Sequence, residues 1–327
     1  MGNSEQVSPK RISVLVPTYN EEENVIPLTE AIVAEFARSL PQYAYDITFI
    51  DNCSTDTTRE KLEAICAENP AVRAIFNARN FGQFNSPYYG ICQTTGDCTI
   101  VMCADFQDPI EMIPKLVAEW EKGYKVVCAV KETSQENKVM RFLRTCYYKA
   151  IHKMSSVEQI EHFTGFGLYD RSFVKVMREL DDPNPFLRGV VAELGYAKKL
   201  LPYEQAQRRA GKTHNNFHTL YDAAMQSFTT YTKTPIRVLT ATGAVTMAGS
   251  CVMGMIALAL RFSAAGAVCR KELCRWLATL SAVGFLSSVN VLATSLVGEY
   301  MLTMRAKLTK RPLVIEERRI NFEQERK

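Results

Sequence analysis

The stretch VMCADFQDPIEM (residues 101–112) opens as an apolar, β-prone run and then breaks into Asp105, Gln107 and Asp108-Pro109. In an extended segment, residues two apart point to the same side, so Asp105 and Gln107 offer a carboxylate and an amide oxygen to one point in space. Hard oxygen donors of this kind suit Mg²⁺ or Mn²⁺, which keep much of their shell for water and phosphate. An ion so held stabilises a departing diphosphate. The plain alternative is that Asp108-Pro109 only starts the next helix while Asp105 caps a turn.

Two more polar clusters follow apolar runs: PTYNEEEN (17–24) and DNCSTDTT (51–58). The first has no glycine, so it lacks the fingerprint with which a dinucleotide fold cradles phosphate at a helix N-terminus. Glu21 suits a ribose hydroxyl instead, with Tyr19 beside it, and Asp51 suits a base N–H. Asn20, Asn24, Ser54 and Asp56 are also ordinary helix caps. Taken together, at adjacent strand ends, the set favours a nucleotide pocket.

These clusters need strands to carry them. Hydrophobic periodicity predicts strands at 11–17, 45–51, 72–77, 98–105 and 125–130, with helices over 24–39, 57–68, near 86–94 and over 110–122. Strand and helix in alternation imply a parallel sheet covered on both faces, with ligands at the carboxyl ends of the strands. Beyond 131 the pattern turns helical, with Arg141 and Arg144; a GFGLYDR turn (165–171) and a short strand KKLLPY (198–203) follow.

The chain has 327 residues, 47% hydrophobic and 23% charged, with a net charge of +4, too small to point to nucleic acid. Its ten cysteines form no evenly spaced framework, which fits a reducing compartment. The start, MGNSEQVSPKR, has no apolar stretch, and no signal peptide is expected. Residues 238–260 and 276–298 are each uncharged over 23 positions and rich in small residues. About 20 apolar residues span a bilayer, so a transmembrane hairpin is expected, with 217–237 as an interfacial helix leading into it.

VPTYNEEENV, IDNCSTDTT, RNFGQ and ADFQDPIEMI, in that order, resemble the motifs of the glycosyltransferase family 2 catalytic domain, which has the GT-A fold. More closely, the chain resembles polyprenyl-phosphate glycosyltransferases, the group of dolichol-phosphate mannose synthase and bacterial undecaprenyl-phosphate sugar transferases. The likeness extends to RGVVAELGY, LPYEQAQRRAGKT, the hairpin and GEY…KRPLVIEE (298–317), covering about 10 to 317. It implies an α/β fold: a flexible N-terminus (1–10), a GT-A (Rossmann-like) domain (11–216), the interfacial helix (217–237), a two-helix transmembrane hairpin (238–304) and a basic cytoplasmic tail with a strand (305–327).

Carried onto this sequence, the resemblance places Pro17, Tyr19, Glu21, Asp51 and Arg79 at the nucleotide, and Asp105 and Gln107 at the metal. Arg208 matches the Arg of an RxxG segment that meets phosphate. Cys103 stands where many members have a first Asp, His214 where Lys is common, and Gly165 and Gly167 replace the Asp and Arg of a GDFRL turn. A lipid phosphate is already anionic and needs no general base. Catalysis is therefore expected to rest on Asp105 and Arg208, with Arg208, Arg209 and Arg144 at the acceptor phosphate.

The expected activity is inverting transfer of one sugar from a nucleotide-sugar, a UDP-hexose by resemblance to the bacterial branch, to polyprenyl (undecaprenyl) phosphate. The expected setting is the bacterial inner membrane, with both termini cytoplasmic and membrane lipids around the hairpin. The tail strand PLVIEE is read as able to add to a neighbouring sheet, giving a homo-oligomer, a tetramer by family analogy. Two other readings stand beside this one. A transferase acting on a saccharide acceptor would more often carry a QxxRW segment, and a non-catalytic nucleotide-binding scaffold would draw on Cys103 and the altered GFGLYDR segment.

Overall fold

The computed structural model describes residues 9–133, 160, 162–180, 182, 185–210 and 312–322, with isolated positions between 245 and 308. Arg144, His214 and the interfacial segment 217–237 lie outside the described residues, as does most of the expected hairpin. Among the described residues no helix is long and apolar enough to cross a membrane.

The chain runs β1 (Arg11–Thr18), α1 (Val25–Ser39), β2 (Ala44–Asp51), α2 (Thr58–Glu68), β3 (Val72–Asn77), α3 (Gly82–Gln93), β4 (Cys98–Val101), α4 (Met112–Glu121) and β5 (Val126–Thr133). It continues as β6 (Phe163–Asp170), α5 (Arg171–Leu180), α6 (Leu187–Glu193), β7 (Lys198–Glu204) and β8 (Glu316–Ile320). These strands form one sheet in the order β7-β5-β6-β4-β1-β2-β3-β8.

Alternation along the strands loads both faces. Ile12, Val14 and Val16 of β1 pack with Leu28, Ile32, Phe36 and Leu116 on one side. Leu15, Ile50, Ile75, Ile91 and Phe173 make the core on the other. Each such side chain, fully buried, contributes about 2 kcal/mol of hydrophobic free energy.

The structure corrects three expectations. The sheet is mixed rather than parallel: β6 runs antiparallel to both β4 and β5, and β8 antiparallel to β3. The GFGLYDR segment is no turn but most of β6, where Gly167 serves close packing. A Cβ on Gly167 would lie 2.3 Å from the Val127 carbonyl of β5. The tail strand lies at Glu316–Ile320 rather than over PLVIEE (312–317), and it extends this chain's own sheet at the β3 edge.

Two boundaries also differ. α3 begins at Gly82, with Pro87 inside the helix. Its first turn is held by side chains: Gly82 N donates to Asn80 Oδ1 (2.8 Å) and Phe81 N to Asn52 Oδ1 (2.9 Å). β4 ends at Val101, four residues earlier than expected. Asp108 Oδ2 accepts the Cys103 N–H at 2.9 Å and turns the chain off the sheet.

Candidate active site

β1 is flanked by β4 on one side and β2 on the other, and successive strands β1, β2 and β3 grow away from β4. The order of the sheet therefore reverses at β1/β4, and the crevice beyond their carboxyl ends is where open α/β sheets bind ligands. The early end of β4 widens it. The last bond across the pair is Met102 N to Leu15 O at 3.1 Å. Pro17, two residues on, has the same orientation as Leu15 and so faces the gap. A proline costs no ladder bond there, because no strand opposes it on the β4 side.

Asp105 lies on the β4 side of this crevice and is buried to 3% exposure. Its Oδ1 accepts Gln107 N at 3.1 Å, the geometry of a tight turn, and Phe106 takes a positive φ of 61° between them. Its Oδ2 accepts both Arg208 Nε (3.0 Å) and Arg208 Nη2 (2.8 Å). Arg208 is brought there by the segment after β7, which runs alongside the Asp105 loop: Ala206 N donates to Gln107 O and Arg209 N to Asp105 O, each at 3.3 Å. Arg209 lies over the Phe106 ring at 5.2 Å.

The loop rests on a second buried carboxylate that sequence reasoning did not single out. Asp108 Oδ1 accepts Tyr203 Oη at 3.0 Å, and burial pushes the Asp108 carboxyl above its ordinary value. Tyr203 and Asp108 thus tie β7 to the turn, and with it Arg208 to Asp105. Their separation of 95 positions leaves no local sequence signal of the contact.

On the β1 side, the half-buried Glu21 completes the cluster. Burial raises its carboxyl above the ordinary value; the Asn24 hydrogen bond and Arg208 oppose that rise, and the Asp105 charge adds to it. Asn24 Nδ2 donates to Glu21 Oε2 at 2.6 Å and to Ala210 O at 3.4 Å, so it too joins β1 to the Arg208 segment. Asn24 precedes α1 but makes no side-chain capping bond.

PTYNEEEN and DNCSTDTT clasp each other. Asn20 N donates to Ser54 Oγ (2.9 Å), Glu21 N to Thr58 Oγ1 (2.9 Å), and Glu22 N to Asp56 Oδ2 (3.3 Å). In return Thr55 N donates to Asn20 Oδ1 (2.8 Å) and Thr57 N to Glu22 Oε2 (3.1 Å). Asn20, Glu22, Ser54 and Asp56 are therefore occupied in joining the two loops. Tyr19, half-buried, stands just before the clasp.

Asp51 is placed below the rim rather than on it, at 0% exposure. Its Oδ2 accepts Ser54 N (3.0 Å) and Arg59 Nε (2.9 Å), and its Oδ1 accepts the Ser54 hydroxyl. Beside it, Asn52 ties β2 to β3: its Nδ2 donates to Asn80 Oδ1 (2.9 Å), and its Oδ1 accepts Asn77 Nδ2 (3.1 Å). Arg79 is exposed at the end of β3 and stacks on Phe81, 4.1 Å from its ring centroid. The structure thus brings Glu21, Asp105, Gln107, Arg208 and Arg209 together at the ends of β1 and β4, with Pro17 and Tyr19 at the end of β1. Asp51 lies beneath the rim and Arg79 at the neighbouring strand end.

Among the described residues no group of three or more His, Cys, Asp or Glu side chains is arranged to hold a metal ion. Asp105 and Gln107 are of the hard oxygen-donor type that Mg²⁺ or Mn²⁺ takes alongside phosphate and water, but they flank a turn with Phe106 at positive φ rather than the extended segment expected. The buried Asp105 carboxylate already faces a cationic partner, the Arg208 guanidinium, and Cys103 adds a thiol rather than a further carboxylate.

A doubly covered α/β sheet with an acidic turn at its switch point is the GT-A-like glycosyltransferase architecture. The chain belongs to glycosyl transferase family 2, whose pattern it matches over residues 13–178. It is 30% identical to a prophage bactoprenol glucosyl transferase homolog of Escherichia coli, over 94% of this chain and 99% of that protein. It is also 30% identical to the SfII prophage-derived bactoprenol glucosyl transferase of Shigella flexneri, over 93% and 97% of the two chains. A putative glycosyltransferase of Bacillus subtilis is 29% identical over 92% and 89%. Among solved structures, mannosyl-3-phosphoglycerate synthase from Rubrobacter xylanophilus is 17% identical with a TM-score of 0.47, covering 66% of this chain and 71% of that one.

Proposed function

We propose that the protein transfers one hexosyl group, with inversion, from a UDP-hexose to polyprenyl (undecaprenyl) phosphate at the cytoplasmic face of a bacterial plasma membrane. The observation that carries this reading is the Arg208–Asp105 pair at the β1/β4 crevice, which sets a guanidinium against a buried carboxylate where phosphate must arrive. The names of the Escherichia coli and Shigella flexneri relatives support the lipid acceptor and the hexose.

In this mechanism an oxygen of the acceptor phosphate attacks the anomeric carbon as the bond from that carbon to the nucleoside diphosphate breaks. The electron pair leaves with the diphosphate. No proton moves, because the attacking oxygen is already anionic, and in-line displacement turns an α-linked donor into a β-linked product. Asp105 and Gln107 would hold Mg²⁺ or Mn²⁺, which supplies charge stabilisation to the departing diphosphate. Arg208 and Arg209, with Arg144 from outside the described residues, orient the acceptor phosphate. Pro17 and Tyr19 line the nucleoside side, Glu21 holds a ribose hydroxyl, Asp51 supports the base end and Arg79 reaches the nucleotide from β3.

The hairpin holds the crevice at the bilayer, where the polyprenyl tail stays. Support comes from 276–298: Asn290 Nδ2 donates to the Leu286 carbonyl (3.3 Å) and Thr294 Oγ1 to the Asn290 carbonyl (2.8 Å). Polar side chains that bond their own helix backbone are what an apolar surround requires. Val283 and Val297 are exposed on the same segment, and Met301 just beyond it. Assembly into a homo-oligomer belongs to the same reading, with β8 at the sheet's edge.

The test supplies the purified full chain with labelled UDP- and GDP-sugars, Mg²⁺ or Mn²⁺ and undecaprenyl phosphate, and counts the organic phase. Label in the lipid from a UDP-hexose is expected. Label appearing only on a saccharide acceptor overturns the lipid reading, and nucleotide binding without transfer to any acceptor overturns the enzyme reading.

A further inference from the structure

The buried Asp51 carboxylate is reached from the far end of the chain. Arg59, projecting from α2, gives Nε to Asp51 Oδ2 (2.9 Å), Nη2 to the Asn77 carbonyl (2.8 Å) and Nη1 to Glu317 Oε2 (2.9 Å). One guanidinium therefore joins the ends of β2 and β3 to β8, across a separation of 258 residues. Its flat face lies over the Phe76 ring at 5.4 Å, and Arg318 of β8 covers the same ring at 4.7 Å. β8 is held at further points: Arg318 pairs with Glu63 of α2, and Arg319 Nη2 donates to Gln93 Oε1 of α3 at 2.8 Å.

From Asp51 the connection continues to the crevice. The Ser54 hydroxyl donates to Asp51 and accepts Asn20 N at 2.9 Å. Asn20 holds a positive φ of 55° between Tyr19 and Glu21, a conformation that costs a non-glycine residue energy unless its neighbours fix it. The chain Glu317–Arg59–Asp51–Ser54–Asn20 thus ends at the turn that aims Tyr19 and Glu21.

We infer that Arg59 and Glu317 are positioning residues for nucleotide binding, through which the C-terminal strand holds the donor side of the crevice in shape. The inference rests on the donor reading above. It gives β8 a purpose of its own: a chain cut before β8 loses nucleotide affinity while keeping the hairpin that precedes it.

The experiment measures UDP and GDP binding by calorimetry, with Mn²⁺ present, on the full chain in detergent. The variants are Arg59→Lys, Glu317→Gln and, as a control, Glu121→Gln, which removes the charge from a carboxylate that accepts from Lys10 and Tyr43 remote from the crevice. Arg59→Lys keeps the charge but loses the three-way fork and is expected to weaken UDP binding about tenfold, the scale of one lost hydrogen bond to a charged group. Glu317→Gln is expected to weaken it about threefold, in keeping with a half-exposed partner, and Glu121→Gln leaves it unchanged. In transfer assays the donor KM rises while kcat holds, a split that general loss of stability does not give. If Arg59→Lys fails to fold, Glu317→Gln decides alone, since its removal leaves Asp51 paired. Wild-type affinity in both Arg59→Lys and Glu317→Gln overturns the inference. A wild-type protein that binds neither UDP nor GDP overturns the donor reading and the inference with it.

Discussion

Arg208 and Asp105, 103 residues apart in the chain, share one contact: both Nε and Nη2 of the guanidinium sit on the same carboxylate oxygen, Oδ2, at 3.0 and 2.8 Å. A cation approaching Asp105 from that side competes with Arg208. Arg208→Gln is therefore expected to bind Mn²⁺ about fivefold more tightly than wild type without nucleotide, the worth of a partly exposed ion pair, and yet to transfer far less sugar. Electron paramagnetic resonance of free Mn²⁺ gives the first quantity and label in the lipid phase the second. Unchanged Mn²⁺ affinity would mean that the ion does not meet Oδ2.

Asp105→Asn keeps the shape of the turn, because Gln107 N can still donate to the amide oxygen, but removes the charge. Transfer is expected to fall by a factor of about a hundred or more, as when one preorganised group is lost from a charge-stabilising site. Near-normal label transfer by this variant would exclude Asp105 from the chemistry.

Gly167→Ala addresses the fold alone. The added methyl would fall 2.3 Å from the Val127 carbonyl, a backbone atom that cannot move aside without breaking the β5–β6 pairing. A loss of about 2 kcal/mol or more is expected, typical of overpacking in a closed core, read as a lower denaturation midpoint. A variant as stable as wild type would show that β5 and β6 are not so closely apposed.

Asp46 sets a pH dependence. Burial raises its carboxyl above the ordinary value, against the opposing effects of Arg73 and of the Ser13 hydrogen bond at 3.0 Å. The folded protein then keeps the proton where the unfolded chain, at the usual aspartate value of about 3.9, has begun to release it. The native state binds more protons in that window, so this group's contribution to stability falls as pH rises from about 3.9 through the raised folded value. Asp46→Asn should flatten that part of the profile of melting temperature against pH. An identical profile in the variant would remove Asp46 as its source.

Much of this was legible in the sequence because it depends on local pattern. Apolar alternation marked β1, β2 and β3, and three polar breaks after apolar runs marked the strand ends where Tyr19, Glu21 and Asp105 stand. The reversals of direction were not legible. β6 reads as a turn because its glycines are common in turns, and only the approach of Val127 shows that a strand needs Gly167. Asp51 reads as a ligand from its position at a strand end, whereas its complete burial and its bond to Arg59 emerge only when α2 folds back over the sheet.

The sequence by itself determined the elements, their alternation and the residue types that reach the carboxyl edge, since side-chain period and backbone preference are set within a few residues. The tertiary structure decided which of those residues meet. Arg208 reaches Asp105 because β7 and Tyr203 carry it there, and Glu317 reaches Asp51 through Arg59 because β8 closes the β3 edge. Such pairings are fixed by strand order and packing, and between residues a hundred or more positions apart no local preference encodes them.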